Sequence, residues 1–135
     1  MIAFCTHCWK QVQSSARACP YCGADLAQDD RSYEQKLLGA LDHPLNEARV
    51  RACWLIGAKQ IEAAAGKLIC VAKSDEDMFV RHAAIQALGY LHSPEILPFL
   101  ESLPKGGDRW MEKDVQKSLH RLRQETQKDV QNNAR

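Results

Sequence analysis

Two cysteine pairs, Cys5-Thr6-His7-Cys8 and Cys19-Pro20-Tyr21-Cys22, stand ten residues apart in the first part of the chain. Four thiolates at Cys-x-x-Cys spacing supply the closed tetrahedral sulfur set that zinc prefers, leaving no position open for a substrate. Cys5, Cys8, Cys19 and Cys22 are therefore expected to hold one structural Zn2+. A redox dithiol pair is the competing chemistry, but neither knuckle lies in a thioredoxin-like context. His7, inside the first knuckle, is expected to be an exposed loop residue. Cys53 and Cys70 lie far from these pairs and are expected to act as small apolar core residues; a second metal site there would need a distant histidine.

Other chemistry is poorly represented. Gly66-Lys67 is followed by leucine and has no upstream glycine, so no phosphate-binding loop is present. There is no His-Glu-x-x-His and no Gly-x-Ser-x-Gly elbow, and His43, His82, His92 and His120 follow no site-like spacing. No catalytic residue is assigned and no enzyme activity is expected.

The elements that must position these residues form two modules. Residues 1–27 contain too few apolar side chains for a core, so the metal must supply most of their folding energy. A short hairpin is expected between Trp9 and Ala18, turning at Gln13-Ser14-Ser15, and Gly23 suits a positive φ after the second knuckle. Residues 28–31 read as a polar linker, with Ser32 capping the helix that follows. Residues 32–126 are helical and repeat: Arg49, Ala52, Ile56 and Gly57 recur as Arg81, Ala84, Leu88 and Gly89, each 32 residues on. A fixed offset of this size predicts stacked helical hairpins, here over 32–42 with 46–58, 61–73 with 77–91, and 94–103 with 108–126. Ser93-Pro94-Glu95 has the composition of a helix start, and Pro104 to Gly107 breaks the last pair. Gly57 and Gly89 are expected to end their helices in the left-handed region. The third unit is degenerate, as a terminal repeat is, and the polar tail 127–135 is expected to fray or be disordered. The fold class is mostly α, a short α-solenoid of about three hairpins preceded by a small zinc ribbon.

Two resemblances add to this. The first 27 residues resemble the short zinc-ribbon modules of many bacterial proteins, through Cys19-Pro20-Tyr21-Cys22-Gly23; Trp9 stands where the first knuckle usually has glycine. Residues 32–103 resemble the HEAT-like repeats typified by phycobilisome lyases, through Val80-Arg81-x-Ala83-Ala84-x-x-Ala87-Leu88-Gly89 and its weaker copy at 48–57. The second resemblance implies that Arg49 and Arg81 bond acids such as Asp42, Asp75 or Asp77. It implies a fold and not an activity. The iron-binding His-Glu dyads of the hydroxylase branch are missing, since no histidine here precedes glutamate, and no chromophore-site motif supports lyase activity.

Candidate partner-binding residues follow from helical geometry. Gln86 points away from the core face of Val80, Ala83, Ala84, Ala87 and Leu88, and Trp54 is its counterpart in the preceding unit. A tryptophan there must pack on something, either the protein's own ribbon or linker or an external partner. Trp9 has the same two readings, and the two indoles are candidates for mutual contact. Arg109, Lys113, Lys117 and Arg121 recur every four residues as a basic stripe, after Lys105; it reads as the solvated face of an end helix or a grip on an acidic or phosphate-bearing partner.

Composition bounds the rest. The formal charge of +1 falls by two, to about −1, once four thiolates and a dication are counted, so bulk attraction to nucleic acid is not the driving force. No apolar run approaches the roughly 20 residues of a membrane helix. Met1 to Cys5 carries no basic n-region, which predicts no secretory signal and a cytoplasmic location where thiols stay reduced. The expected function is protein binding, as an adaptor, scaffold or small assembly subunit, with no membrane and no small-molecule substrate. The alternative is a nucleic-acid-associated factor using Lys10, Arg17, Trp9 and the basic stripe. A third reading is an enzyme-maturation factor with a redox-labile zinc site.

Overall fold

The computed structural model describes residues 1–27, 31–103 and 109–133, the side chains of 109, 110 and 126–133 excepted. In the first module, β1 (Ile2–Phe4) pairs antiparallel with β2 (Gln11–Gln13), with Ala3 opposite Val12. The hairpin therefore reverses at the first knuckle and not at residues 13–15, which corrects the expected pairing. The Cys5 carbonyl accepts the Trp9 N–H at 2.8 Å, so the metal-binding turn is itself the turn of the hairpin. The second knuckle sits in the same way between Ala18 and Asp25, which form an isolated bridge.

The helices follow as α1 (Tyr33–Ala40), α2 (Asn46–Ala58), α3 (Ala65–Ser74), α4 (Met78–Leu88), α5 (Ile96–Ser102) and α6 (Arg109–Asn133). A 3-10 turn at Glu62–Ala64 leads into α3. Ser32 caps α1 in a reciprocal capping box with Gln35, and Asp77 caps α4 through the Val80 N–H. The first turn at Ser93 to Glu95 is not yet α-helix, and α5 begins only at Ile96. Helix α6 continues past 126 to Asn133. The Pro104 to Gly107 break and Lys105 lie outside the described residues.

Helix α4 packs on α2, α3 and α6, so α2, α4 and α6 form one layer with α1, α3 and α5 outside it. Between the layers lies one apolar cluster that includes Ile56, Leu68, Leu88 and Leu100, each almost wholly buried. Gly57 and Gly89 are not left-handed: Gly57 lies inside α2, and Gly89 ends α4 at φ −65°. Their role is close approach. A Cβ on Gly57 would lie 3.0 Å from the Ala87 Cα, and one on Gly89 would lie 2.5 Å from the Ser118 Oγ. These glycines set how tightly α2 meets α4 and α4 meets α6.

The repeated arginines tie the turns together. Buried Arg49 donates from Nε and Nη2 to the Asp75 carboxylate, at 3.0 and 3.3 Å, and from Nη1 to the His43 carbonyl at 2.7 Å. One unit on, Arg81 Nη1 donates to the carbonyl of Asp75, the residue equivalent to His43, at 2.5 Å. The implied pairing thus holds for Arg49 with Asp75. Arg81 uses the same residue's backbone, while Asp42 pairs with Lys67.

Candidate functional site

The metal centre is built at the two hairpin tips. The Cys5 and Cys22 sulfurs are 3.7 Å apart, those of Cys8 and Cys19 are 3.6 Å apart, and all four lie within 4.8 Å of one another. A zinc ion with Zn–S bonds of about 2.3 Å sets its sulfurs about 3.8 Å apart, so the set fits one tetrahedral ion. Each knuckle also turns a backbone amide onto its first sulfur: His7 N–H donates to Cys5 Sγ and Tyr21 N–H to Cys19 Sγ, both at 3.4 Å. Burial pushes the Cys19 thiol up, but the amides of Cys22 and Tyr21 and the Cys8 thiol outweigh it and bring it to about 6. Burial likewise raises Cys5, and the amides of Cys8 and His7 bring it below its ordinary value. Cys22 goes the other way: the Ala24 amide favours its thiolate, yet lost hydration and the crowding thiols push it up to about 11. Thiolates crowded this closely repel one another, a cost that a bound dication removes. Zinc bound here would hold both tips in one geometry.

The ribbon also touches the helices. Trp9 adopts φ 61° where glycine is usual, matching Gly23 at φ 77° in the second knuckle. The left-handed region costs a non-glycine residue about 1–2 kcal/mol. Packing offsets it: the Trp9 indole lies 5.1 Å from the His43 ring, and Phe4 meets the same ring edge-on at 4.8 Å. Arg31 Nη1 reaches the Thr6 carbonyl at 3.5 Å. Trp9 is thus half-buried at the junction, and among the described residues its ring partner is His43 and not Trp54, the other candidate. His7 is exposed, as expected.

Trp54 is 58% exposed, so the described part of the ribbon does not cover it. It separates two grooves on the α2–α4–α6 layer. One, of about 530 Å³, runs between Trp54, Gln86 and Tyr90 on one side and Lys117 and Arg121 on the other. The second, about 510 Å³, lies between Trp54, Gln86 and Phe79. Four expected partner residues, Trp54, Gln86, Lys117 and Arg121, thus converge on one groove. Lys113 is exposed on α6 outside that lining, and the Arg109 side chain is outside the described residues. Lys10 stacks over Tyr21 at 4.8 Å within the ribbon, and Arg17 is exposed there.

Three features escape a reading of the sequence. His82 and Asp114, 2% and 5% exposed, pair across α4 and α6 at 2.9 Å, and Gln86 donates to the second Asp114 oxygen at 3.3 Å. The 32-residue offset, carried from His82 to Asp114, is the signal that would have found this pair. Phe79 and Tyr90, 55% and 40% exposed, extend the apolar face on both sides of Gln86 without any motif to mark them. His92 is clasped by Glu62 at 3.1 Å and Glu125 at 2.6 Å. Of the remaining cysteines, Cys53 is fully buried, and burial raises its thiol to about 12, which leaves it inert. Cys70 corrects the other half of that expectation: it is exposed, because α3 turns that position outward.

No helix among the described residues is long and apolar enough to cross a membrane. Comparison with curated protein sequences finds no match. Among protein families, the zinc-ribbon domain matches residues 4–26, the segment holding all four sulfurs. HEAT repeats match residues 34–120, well over half of the chain, and span the hairpins α1 to α5 and the first part of α6. The chain belongs to the HEAT-repeat proteins, with a zinc-ribbon domain ahead of its repeats.

Proposed function

We propose that this protein is a non-catalytic adaptor or assembly subunit that binds another protein on its α2–α4–α6 layer, with the zinc ribbon as a structural cap and second contact point. The observation that carries this reading is Trp54. A side chain this large and apolar stays 58% exposed on a rigid helix, between two grooves, where the next repeat places glutamine. Tryptophan is enriched among residues that dominate interface energetics. Tyr90 and Phe79 beside it make the exposed apolar area continuous across α4. The sulfur site supports a structural role for zinc, since four cysteines leave no open coordination position. The small array suits moderate affinity or membership of a larger complex.

The test is a nuclease-treated pull-down from native extract, with wild type beside Trp54→Ala and a charge-reversed Lys113/Lys117 variant. A protein partner that survives nuclease and is lost on Trp54→Ala supports the adaptor reading. Recovery that requires nucleic acid and the two lysines overturns it in favour of a nucleic-acid-associated factor, and would show steep salt dependence.

A further inference from the structure

The groove between α4 and α6 has an uneven chemistry. Between its walls the lining includes the small residues Gly57, Ala58, Ala87, Gly89 and Ser118, where α2, α4 and α6 approach closely. Its walls carry two exposed aromatics, Trp54 and Tyr90, and two cations, Lys117 and Arg121. The Arg121 guanidinium lies 3.9 Å from the Tyr90 ring centre, which holds that positive charge at the rim. The single acid of the lining, Asp114, is 5% exposed and committed: one oxygen meets His82 and the other accepts from Gln86. A visitor therefore meets apolar rings and positive charge, although the chain as a whole is nearly neutral.

We propose that this groove binds an acidic segment of a partner protein. One large apolar side chain of that segment seats between Trp54 and Tyr90, and its carboxylates face Lys117 and Arg121. The proposal rests on the protein-binding reading above and names the chemistry of its partner. The neighbouring groove sharpens it. There Trp54 and Phe79 continue the apolar track, but Glu47 and Asp77 stand with Arg51, so the rim has no net positive charge. Charge selection thus belongs to the α6 end of the track, which gives a bound segment a direction. A nucleic-acid strand fits less well, because a phosphate backbone draws on many cations along its length and this wall offers two.

The test pans short random peptides, displayed on phage, against the zinc-loaded full chain. Two variants accompany the wild type: Trp54→Gln, which installs the residue that the next repeat carries at this place, and Lys117→Glu/Arg121→Glu. Circular dichroism and melting confirm that both keep the fold. The expected result is a peptide set rich in Asp and Glu around one aromatic or large aliphatic residue, with each variant binding it about tenfold or more weakly. Peptides lost on Trp54→Gln but with no acidic bias, and indifferent to the charge reversal, overturn the acidic chemistry and leave the protein-binding reading standing. Peptides held equally by wild type and Trp54→Gln, or no enrichment over an unrelated protein, overturn the groove itself. Displacement of the peptides by a single-stranded oligonucleotide in a Lys117-dependent way overturns both in favour of nucleic acid.

Discussion

The ribbon and the helical array keep their shapes by different means. The ribbon's own buried cluster is Cys5, Val12 and Cys19, two of which are metal ligands. The array buries a continuous row of aliphatic side chains from Leu37 to Leu122 and adds arginine clasps at its turns. One region is thus held at a point and the other along a length. They meet at His43, where Phe4 and Trp9 rest on the turn between α1 and α2. A point-held region answers to metal and thiol chemistry, whereas a length-held one answers to packing.

Removing zinc tests this contrast most severely. Structural zinc contributes on the order of 10–16 kcal/mol of apparent binding energy to small sites. Chelation should therefore unfold residues 1–27 and leave the array helical, as read by loss of ribbon amide signals in NMR spectra with helical circular dichroism retained. An array that melts together with the ribbon would break the comparison. Next in size is Gly89→Ala, which drives a methyl group into Ser118 and should cost about 1–3 kcal/mol by overpacking, lowering the melting temperature without changing zinc affinity. Smaller still is Trp9→Gly. It relieves about 1–2 kcal/mol of backbone strain in the ribbon but removes the indole from His43. Zinc should bind as tightly or more tightly, while contacts between Phe4 and His43 disappear from NOE spectra.

The smallest effect is a pH response of opposite sign on the two sides. Burial, with Arg49 nearby, lowers the His43 pKa, so its contribution is present above the ordinary value of about 6.5 and is lost as pH falls through the depressed value. Hydrogen bonding to Glu62, then Glu125, raises that of His92. Its contribution is present below about 6.5 and is lost as pH rises through the raised value. His92 is about half exposed, so solvent screening keeps that contribution small. Acidification from neutral pH should loosen the ribbon from the array and tighten the clip of α6 onto the turn before α3. Amide exchange near His43 and near Glu62, followed against pH, should move in opposite directions.

The two regions were also unequally legible in the sequence. The metal site lies in a short stretch whose spacing states its own chemistry, so its four ligands could be named outright. The array declared itself by its offset, which placed α2 and α4 with little error. What the sequence hid were choices with two physical solutions. A glycine at a helix end serves either a left-handed turn or a close approach, and Gly57 and Gly89 took the second. The first hairpin was mispaired because a metal knuckle can itself reverse the chain, which strand periodicity does not reveal. Cys53 and Cys70 look alike in type, and only the rotations of α2 and of α3 against their neighbours send the first inward and the second out. Trp54, by contrast, was conspicuous because it broke the pattern of its own repeat.

The doubly held turn at Asp75 has a mechanical side. Arg49 grips its carboxylate from the preceding unit, and Arg81 grips its carbonyl from within the same unit. The two hairpins are lapped there like roof tiles, the second pinned by the first. Stretched end to end, the first two hairpins should part only once the two-pronged grip of Arg49 on the Asp75 carboxylate has let go.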